Sequence, residues 1–350
     1  MSAALPSASQ SKAVGIQPAS ANRSSASEKL PLSRLSAAIR VQMGISNPQN
    51  MVALIAGPTA SGKTALALHL AKSGNFVIIN ADSAQVYSDL PILSAQPTPD
   101  EQCSAPHHLF GYIDGLTPCS AARWASDAKV AIARAHEAGV TPILVGGSGL
   151  YIRTLLDGIA PIPEVDPLLR AEIRAMPVDQ AYAALQAYDA QVAASLAPTD
   201  VSRITRALEV VKSTGNSIAT WRATKTGGIS ADIRLRPLLL LPPRDWLYDR
   251  CDKRFELMME RGAIDEVEAL LARNLPQDAP VMRAIGVPEI SAYLKGTMSR
   301  AEAITLGKIA TRQYAKRQFT WFRNQAPTEW PRENAIVNDS NIDDIEIIFQ

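Results

Sequence analysis

From Met51 onward, short apolar runs alternate with stretches whose apolar residues recur at helical spacing. Met51–Ala56 is an unbroken apolar run of strand length, and a Gly-containing loop separates it from the helical run Thr64–Lys72. Phe76–Ala81 predicts a second strand, which ends at Asp82. Residues Ala121–Ala138 predict a helix, and Pro142–Val145 predicts a third strand running into Gly146-Gly147. Apolar strands separated by helical segments predict a parallel sheet with crossover helices on both faces. Sheets of this kind collect ligands at the carboxyl ends of their strands. All three predicted strands end on residues with candidate chemistry.

Residues 166–235 follow a different rhythm. Leu168, Leu169, Ile173, Ala181, Leu185, Val192, Leu196 and Leu208 recur at helical spacing, punctuated by Pro177 and Pro198. This stretch predicts an all-helical insertion. Strand-like Leu238–Leu241 returns the chain to the sheet, residues 246–323 read mostly as helix, and residues 326–350 read as a weakly ordered end. The divisions expected are therefore a tail (1–48), the first part of the core (49–165), the insertion (166–235), the second part of the core (236–325) and the chain end.

The first 48 residues are rich in Ser and Ala, carry Glu28 as their one acid, and show no sustained apolar period. They cannot bury enough surface to offset chain entropy, so they read as disordered, with at most a short helix near Leu35–Met43. Their Arg-containing, acid-poor character also resembles an organelle transit peptide, although a floppy tail is the simpler explanation.

With 350 residues, two domains plus a tail are expected. Three cysteines, Cys103, Cys119 and Cys251, without metal-ligand spacing argue against a disulfide framework and read as reduced thiols. No apolar run approaches the roughly 20 residues needed to cross a bilayer. The 35 Lys+Arg and 34 Asp+Glu leave a net charge of +1, which excludes a globally basic nucleic-acid coat but permits a local basic face.

Gly57, Pro58, Thr59, Ala60, Ser61, Gly62, Lys63 and Thr64 fit G-x-x-x-x-G-K-[ST] in full, between a predicted strand and a predicted helix. The glycines let successive backbone N–H groups converge on phosphate oxygens, and the helix adds its positive N-terminus. Lys63 reaches the outer oxygens, and the Thr64 hydroxyl can ligate Mg2+. The loop indicates polyphosphate or diphosphate binding without saying which molecule carries it. No apolar strand ending in a metal-holding Asp accompanies the loop; the third strand ends in Gly146-Gly147-Ser148. The one acid at a strand end is Asp82. On these residues alone a small-molecule kinase, with Asp82 taking a hydroxyl proton, stays open.

Six ordered blocks extend the pattern: the phosphate loop, Asp82-Ser83-Ala84-Gln85-Val86-Tyr87, Pro106-His107-His108-Leu109, Gly146-Gly147-Ser148-Gly149-Leu150-Tyr151, Arg206-Ala207-Leu208-Glu209-Val210 and Thr311-Arg312-Gln313-Tyr314-Ala315-Lys316-Arg317-Gln318. Together they resemble the tRNA dimethylallyltransferases of bacterial type, over about residues 51–325. The resemblance implies a P-loop NTPase-like core. It also implies transfer of a dimethylallyl group from dimethylallyl diphosphate, with Mg2+, to N6 of the adenosine 3′ of the anticodon. Asp82 would accept the amine proton, Lys63 and the loop amides would stabilise the departing diphosphate, and Ser148, where the family usually has Thr, would bond the nucleophile or donor.

The same resemblance implies base flipping into a channel, with Asp82, Ser83, Ala84 and Gln85 at the extruded base. Arg170 and Ser202, Arg203, Ile204, Thr205 and Arg206 of the insertion would grip the anticodon stem-loop. Lys308, Arg312 and Lys316, four apart, would line one side of the last helix, extended by Arg317 and Arg323. The chain departs from the family at Gln96, where a Lys is usual, and at Val287, where an aromatic is usual. His107-His108 reads as structural or substrate-lining, because adjacent histidines diverge and no third ligand accompanies them. Nothing after Cys251 can build the Cys/His zinc module that eukaryotic members append, which favours a bacterial-type, cytoplasmic enzyme, expected as a monomer. The competing readings are separable. A kinase would bind ATP and phosphorylate an alcohol, a prenyltransferase of free adenine nucleotides would need neither the insertion nor the basic helix, and a plain RNA-binding module would not require Asp82 beside an intact phosphate loop.

Overall fold

The computed structural model describes residues 50–338 and 340–349. Its strands are β1 (Met51–Ala56), β2 (Phe76–Asn80), β3 (His107–His108), β4 (Thr141–Gly146), β5 (Gly158–Ile159), β6 (Thr226–Gly227), β7 (Arg234–Leu240) and β8 (Arg332–Glu333). Six of them form one sheet in the order β3-β2-β4-β1-β7-β8, with every neighbouring pair parallel. β1 and β4, at its centre, are buried at all six positions, which is why both read as unbroken apolar runs rather than as an alternation.

Successive residues of the central strands feed opposite faces. Val52, Leu54, Ile79, Leu144 and Leu239 pack with Trp124, Tyr151, Phe255 and Phe322 on one side. Ala53, Ile55, Ile78, Ile143 and Leu240 pack with Leu66 and Leu70 on the other. The second face is covered by α1 (Lys63–Ser73), which the short α2 (Pro99–Ser104) touches in turn. The sequence reading passed over α2, although Thr98 and Glu101 form a capping box at its start. The first face carries α3 (Ala121–Glu137) and α4 (Gly149–Asp157). Trp124 of α3 stacks on Tyr151 of α4 at 4.9 Å and donates from Nε1 to the Asn80 carbonyl at 2.9 Å, tying both helices to the end of β2.

The insertion is helical, with α5 (Pro167–Ala175), α6 (Val178–Tyr188), α7 (Ala190–Ala194), α8 (Val201–Thr214) and α9 (Ile218–Ala223). It has its own core, built on Ile173, Leu185, Ile204, Leu208 and Val211. Asp166, Asp189, Asp200 and Ser217 cap four of these helices with side-chain oxygens. The expected boundaries shift: an antiparallel ladder between β5 and β6 closes the insertion at its base, and Arg234 and Leu235 already belong to β7.

After β7 the chain forms α10 (Arg244–Glu260), α11 (Ala263–Ala272), α12 (Val287–Leu294) and the 26-residue α13 (Arg300–Gln325). Within residues 326–350, expected as a weakly ordered end, the described residues include the edge strand β8 and the short helix α14 (Ile342–Glu346), with Ile345 and Phe349 buried against the sheet. That edge is built from a two-residue strand, too short to show a period in the sequence. The tail 1–48 and its candidate helix at Leu35–Met43 lie outside the described residues. Among the described residues no helix is long and apolar enough to cross a membrane.

α10 and α13 cross closely because Gly307 has no side chain: a Cβ there would stand 2.0 Å from Cζ of Phe255. Gly307→Val is expected to destabilise the fold by on the order of 1–3 kcal/mol through overpacking. Urea denaturation checks it, and an unchanged midpoint would mean that Phe255 moves aside freely.

Candidate active site

The ends of β1, β2 and β4 lie side by side, so the three loops that follow them share one edge of the sheet. After β1, Gly62 sits in the left-handed region (φ 98°), which Gly adopts without strain, and α1 starts on the next residue. Lys63 and Thr64 therefore occupy the first turn of α1, where unpaired N–H groups and the helix dipole favour an anion. Lys63 Nζ donates to the Pro58 carbonyl at 2.6 Å, folding over its own loop. Burial lowers the Lys63 pKa to about 8, with Asp82 opposing the shift and Arg254 adding to it. The Ser61 hydroxyl is buried and has no hydrogen-bond partner among the described residues.

Two arginines of α10 reach into this loop. Arg254 donates to the Thr59 hydroxyl, and Arg250 Nε donates to the Ala60 carbonyl at 3.1 Å. The Arg254 Nε is buried without a hydrogen-bond partner. The sequence reading did not single out either residue, although they stand four apart and so share one face of a helix.

Asp82 follows β2 in a loop shaped by buried Asn80. The Asn80 Oδ1 accepts from the Asp82 N–H at 2.8 Å, while its Nδ2 donates to the carbonyls of Asp82 (3.0 Å) and Leu109 (2.9 Å). Asp82 Oδ1 accepts from the Ala84 N–H at 3.0 Å, which orients the carboxylate. Ser148, after β4, accepts from the Ser83 N–H at 2.8 Å and donates to the Ser83 Oγ at 3.0 Å. It lines neither cavity described below. The Tyr314 hydroxyl of α13 bonds the same two serines, and burial raises its pKa, with the Asp82 charge adding to the rise.

Two cavities meet at Asp82. One, of about 810 Å3, contains residues 59–65 of the phosphate loop with Gln85, Gln96, Arg250, Lys253 and Arg254. The other, of about 370 Å3, is bounded by Ser83, Ala84, Tyr87, Phe255, Val281 and Tyr314. Thr59, Asp82, Ser94, Arg254 and Met258 line both. Gln85 is pinned by donating from Nε2 to the carbonyls of Ser94 (3.0 Å) and Ala95 (2.6 Å). Gln96, standing where a lysine was expected, donates to the Tyr87 carbonyl at 2.8 Å.

The basic residues divide into two sets. Lys308 pairs with Glu256 and Arg312 with Asp252, so these two cations knit α13 to α10 instead of presenting a free face. Lys316 and Arg317 are exposed and, with Arg153, Arg203 and Trp321, line a groove of about 730 Å3 between α13 and the insertion. Ser202 and Arg203 are exposed, whereas the side chains of Ile204 and Thr205 are buried in the insertion, at 0% and 8% exposure. Arg170 and Arg206 gather around Glu209. His107 is used structurally, its Nδ1 2.8 Å from the Ala105 carbonyl.

Comparison with known proteins places this arrangement. The IPP transferase family model matches residues 85–325. The tRNA dimethylallyltransferase of Sphingopyxis alaskensis is 60% identical over 297 residues, covering 85% of this chain and 97% of that protein. This chain belongs to the IPP transferase family. A second member, the tRNA dimethylallyltransferase of Zymomonas mobilis, is 52% identical over 302 residues, covering 86% of this chain and 97% of that protein. Among solved structures, the full-length tRNA isopentenylpyrophosphate transferase of Bacillus halodurans aligns at 34% identity with a TM-score of 0.62, over 86% of this chain and 95% of that one. A eukaryotic dimethylallyltransferase acting on tRNA aligns at 28% identity with a TM-score of 0.68, over 78% of this chain and 70% of that one. The two-cavity site thus sits in an IPP transferase whose core and insertion both have structural counterparts.

Because the Lys63 pKa is lowered to about 8, its ammonium is present below that pH and lost above it. Affinity for inorganic diphosphate is therefore expected to fall as pH rises through about 8. Titration calorimetry across that range checks the sign, and Lys63→Arg should flatten the profile, since a guanidinium stays protonated there.

Proposed function

We propose that this IPP transferase transfers the dimethylallyl group of dimethylallyl diphosphate to N6 of the adenosine immediately 3′ of the anticodon in tRNA, releasing diphosphate. The observation that carries the reading is the position of Asp82, where a phosphate-loop cavity opens into a second cavity. A carboxylate there faces a diphosphate ester from one side and an amine from the other.

The allyl donor lies with its diphosphate over residues 57–64. The flipped adenine enters the smaller cavity, among Ser83, Ala84, Tyr87 and Phe255. The N6 lone pair attacks C1 of the allyl group while the C1–O bond to diphosphate breaks, and that bonding pair leaves with the phosphate oxygen. The N6 proton passes to Asp82 on Oδ2, the oxygen that the Ala84 amide does not engage. Negative charge grows on the leaving group, and Lys63, Arg254 and the phosphate loop line the cavity that receives it. Ser148 acts as a positioning residue through Ser83.

Thr64 lines the donor cavity, and its hydroxyl is a hard oxygen donor that would hold Mg2+ there. Bound there, Mg2+ supplies further neutralisation of the diphosphate charge. The anticodon stem-loop lies against Arg203, Lys316 and Arg317, and the enzyme works as a cytoplasmic monomer. The phosphate loop also suits a kinase, but a proton-accepting carboxylate between two cavities, beside a basic groove, favours prenyl transfer to RNA.

Incubation of the purified chain with unmodified tRNA and dimethylallyl diphosphate, followed by nucleoside mass spectrometry, is expected to yield dimethylallyladenosine. Unalkylated tRNA together with phosphorylation of an alcohol from ATP would replace this reading with a kinase. Asp82→Asn is expected to lower turnover by about two orders of magnitude or more while RNA affinity is kept, the scale of losing a general base. Near-normal turnover of that variant in a single-turnover assay would remove Asp82 from proton transfer.

A further inference from the structure

A single helical turn stands between the two cavities, and it is gripped at both ends. Residues 90–96 close on themselves: Ser94 N–H donates to the Leu90 carbonyl at 3.0 Å, Ala95 N–H to the Ile92 carbonyl at 2.9 Å and Gln96 N–H to the Pro91 carbonyl at 2.9 Å. So short a turn leaves its first amides without partners of its own. Glu266 of α11 supplies them from a distant part of the chain. Its Oε1 accepts from the Ile92 N–H at 2.6 Å and its Oε2 from the Leu93 N–H at 2.9 Å. The other end is held by Gln85, which donates to the Ser94 and Ala95 carbonyls. Ala95 sits in the left-handed region (φ 54°), a conformation that a residue with a Cβ keeps only where its surroundings hold it.

A capped surface turn would serve stability alone. Here Pro91, Ile92, Ala95 and Gln96 line the donor cavity, Leu90 and Leu93 the smaller cavity, and Ser94 both. The turn is thus part of the wall between the two ligands. Glu266 is half-buried, and two backbone amides, with no cation among the described residues, hold its charge. Burial raises its pKa, and the two amides oppose the rise. Because each carboxylate oxygen takes one amide, the turn is fixed in rotation as well as in height. Gln85 fastens the same turn to the loop that carries Asp82. One side chain of α11 therefore reaches, through the turn, to the wall beside the reacting carboxylate.

We propose that Glu266 is a positioning residue for the allyl donor: it holds the turn at residues 90–96 as the wall between the cavities, so that the diphosphate ester meets Asp82 at one fixed depth. The inference rests on the transfer reading for the identity of the donor. Glu266 lines neither cavity and takes no part in bond making. Its effect is on the shape of the donor cavity, and by reciprocity a filled cavity tightens the turn.

The test measures binding of dimethylallyl diphosphate and of inorganic diphosphate by titration calorimetry, for the full chain and for Glu266→Gln and Glu266→Asp, with turnover on tRNA followed alongside. Glu266→Gln keeps the size of the side chain but turns an NH2 group toward one of the two amides. It is expected to weaken donor binding by about ten-fold, the scale of a hydrogen bond to a charged group. Turnover at saturating donor should fall less than donor affinity, and affinity for an anticodon stem-loop should not change, because the basic groove lies elsewhere. A general weakening of the fold would move all three. Glu266→Asp keeps the charge and both oxygens and is expected to recover part of the loss. Donor affinity unchanged in Glu266→Gln would overturn the proposal. Should the variants fail to fold, amide exchange on the wild-type chain decides the matter: dimethylallyl diphosphate is expected to slow exchange at Ile92 and Leu93, and exchange unaltered by the donor would overturn the proposal equally. A chain that binds inorganic diphosphate with this dependence on Glu266, yet neither binds dimethylallyl diphosphate nor alkylates tRNA, would sink the transfer reading and leave the brace standing.

Discussion

One buried amide holds the site together. Gln318 of α13, 5% exposed, accepts the Thr59 N–H on Oε1 at 2.7 Å and donates from Nε2 to the Gly147 carbonyl at 3.0 Å. A single planar group thus clamps the phosphate loop after β1 to the Gly-Gly loop after β4, and fixes the depth at which α13 docks on the sheet. Leaving such buried partners unpaired costs about 1–3 kcal/mol each, so the three elements hold or shift as a unit. Gly147 is part of the same constraint. A Cβ there would stand 2.2 Å from the Gln318 Nε2 and 3.2 Å from the Asp82 Oδ2, so only a bare backbone lets the amide and the carboxylate sit side by side.

From that clamp follows the electrostatic layout. α10 and α13 are joined by two ion pairs at matching spacing, Glu256–Lys308 and Asp252–Arg312. The same helix α10 sends Arg250 and Arg254 into the phosphate loop. Cations that look alike in sequence therefore divide by location. Some fasten helices, some surround the donor cavity with Lys63, and Lys316 and Arg317 remain exposed at the groove beside the insertion. A chain of net charge +1 concentrates its positive potential in this way without being basic overall.

The core strands, the phosphate loop and Asp82 were legible because each has a local signature: an unbroken apolar run, fixed glycine spacing, an acid at a strand end. What stayed illegible depended on partners far away in the chain. The stripe Lys308, Arg312 and Lys316 follows from helical spacing, but nothing local says that carboxylates on α10 would claim the first two. Ile204 and Thr205 sit between exposed Arg203 and half-exposed Arg206, and only the packing of the insertion turns them inward. The edge strands β3 and β8, two residues each, have no period to detect.

By itself the sequence determined a parallel α/β core with a phosphate-binding loop at one strand end and a helical insertion, because spacing and composition encode backbone conformation directly; the chemistry came only with the resemblance to a known family. Tertiary structure alone decided that Arg254, Tyr314 and Gln318 meet Asp82, that Glu209 gathers three arginines, and that the site is two cavities joined at a carboxylate. Those are contacts between residues separated by long stretches of chain. The sheet order and the closeness of helix crossings set them, and no local pattern carries that information.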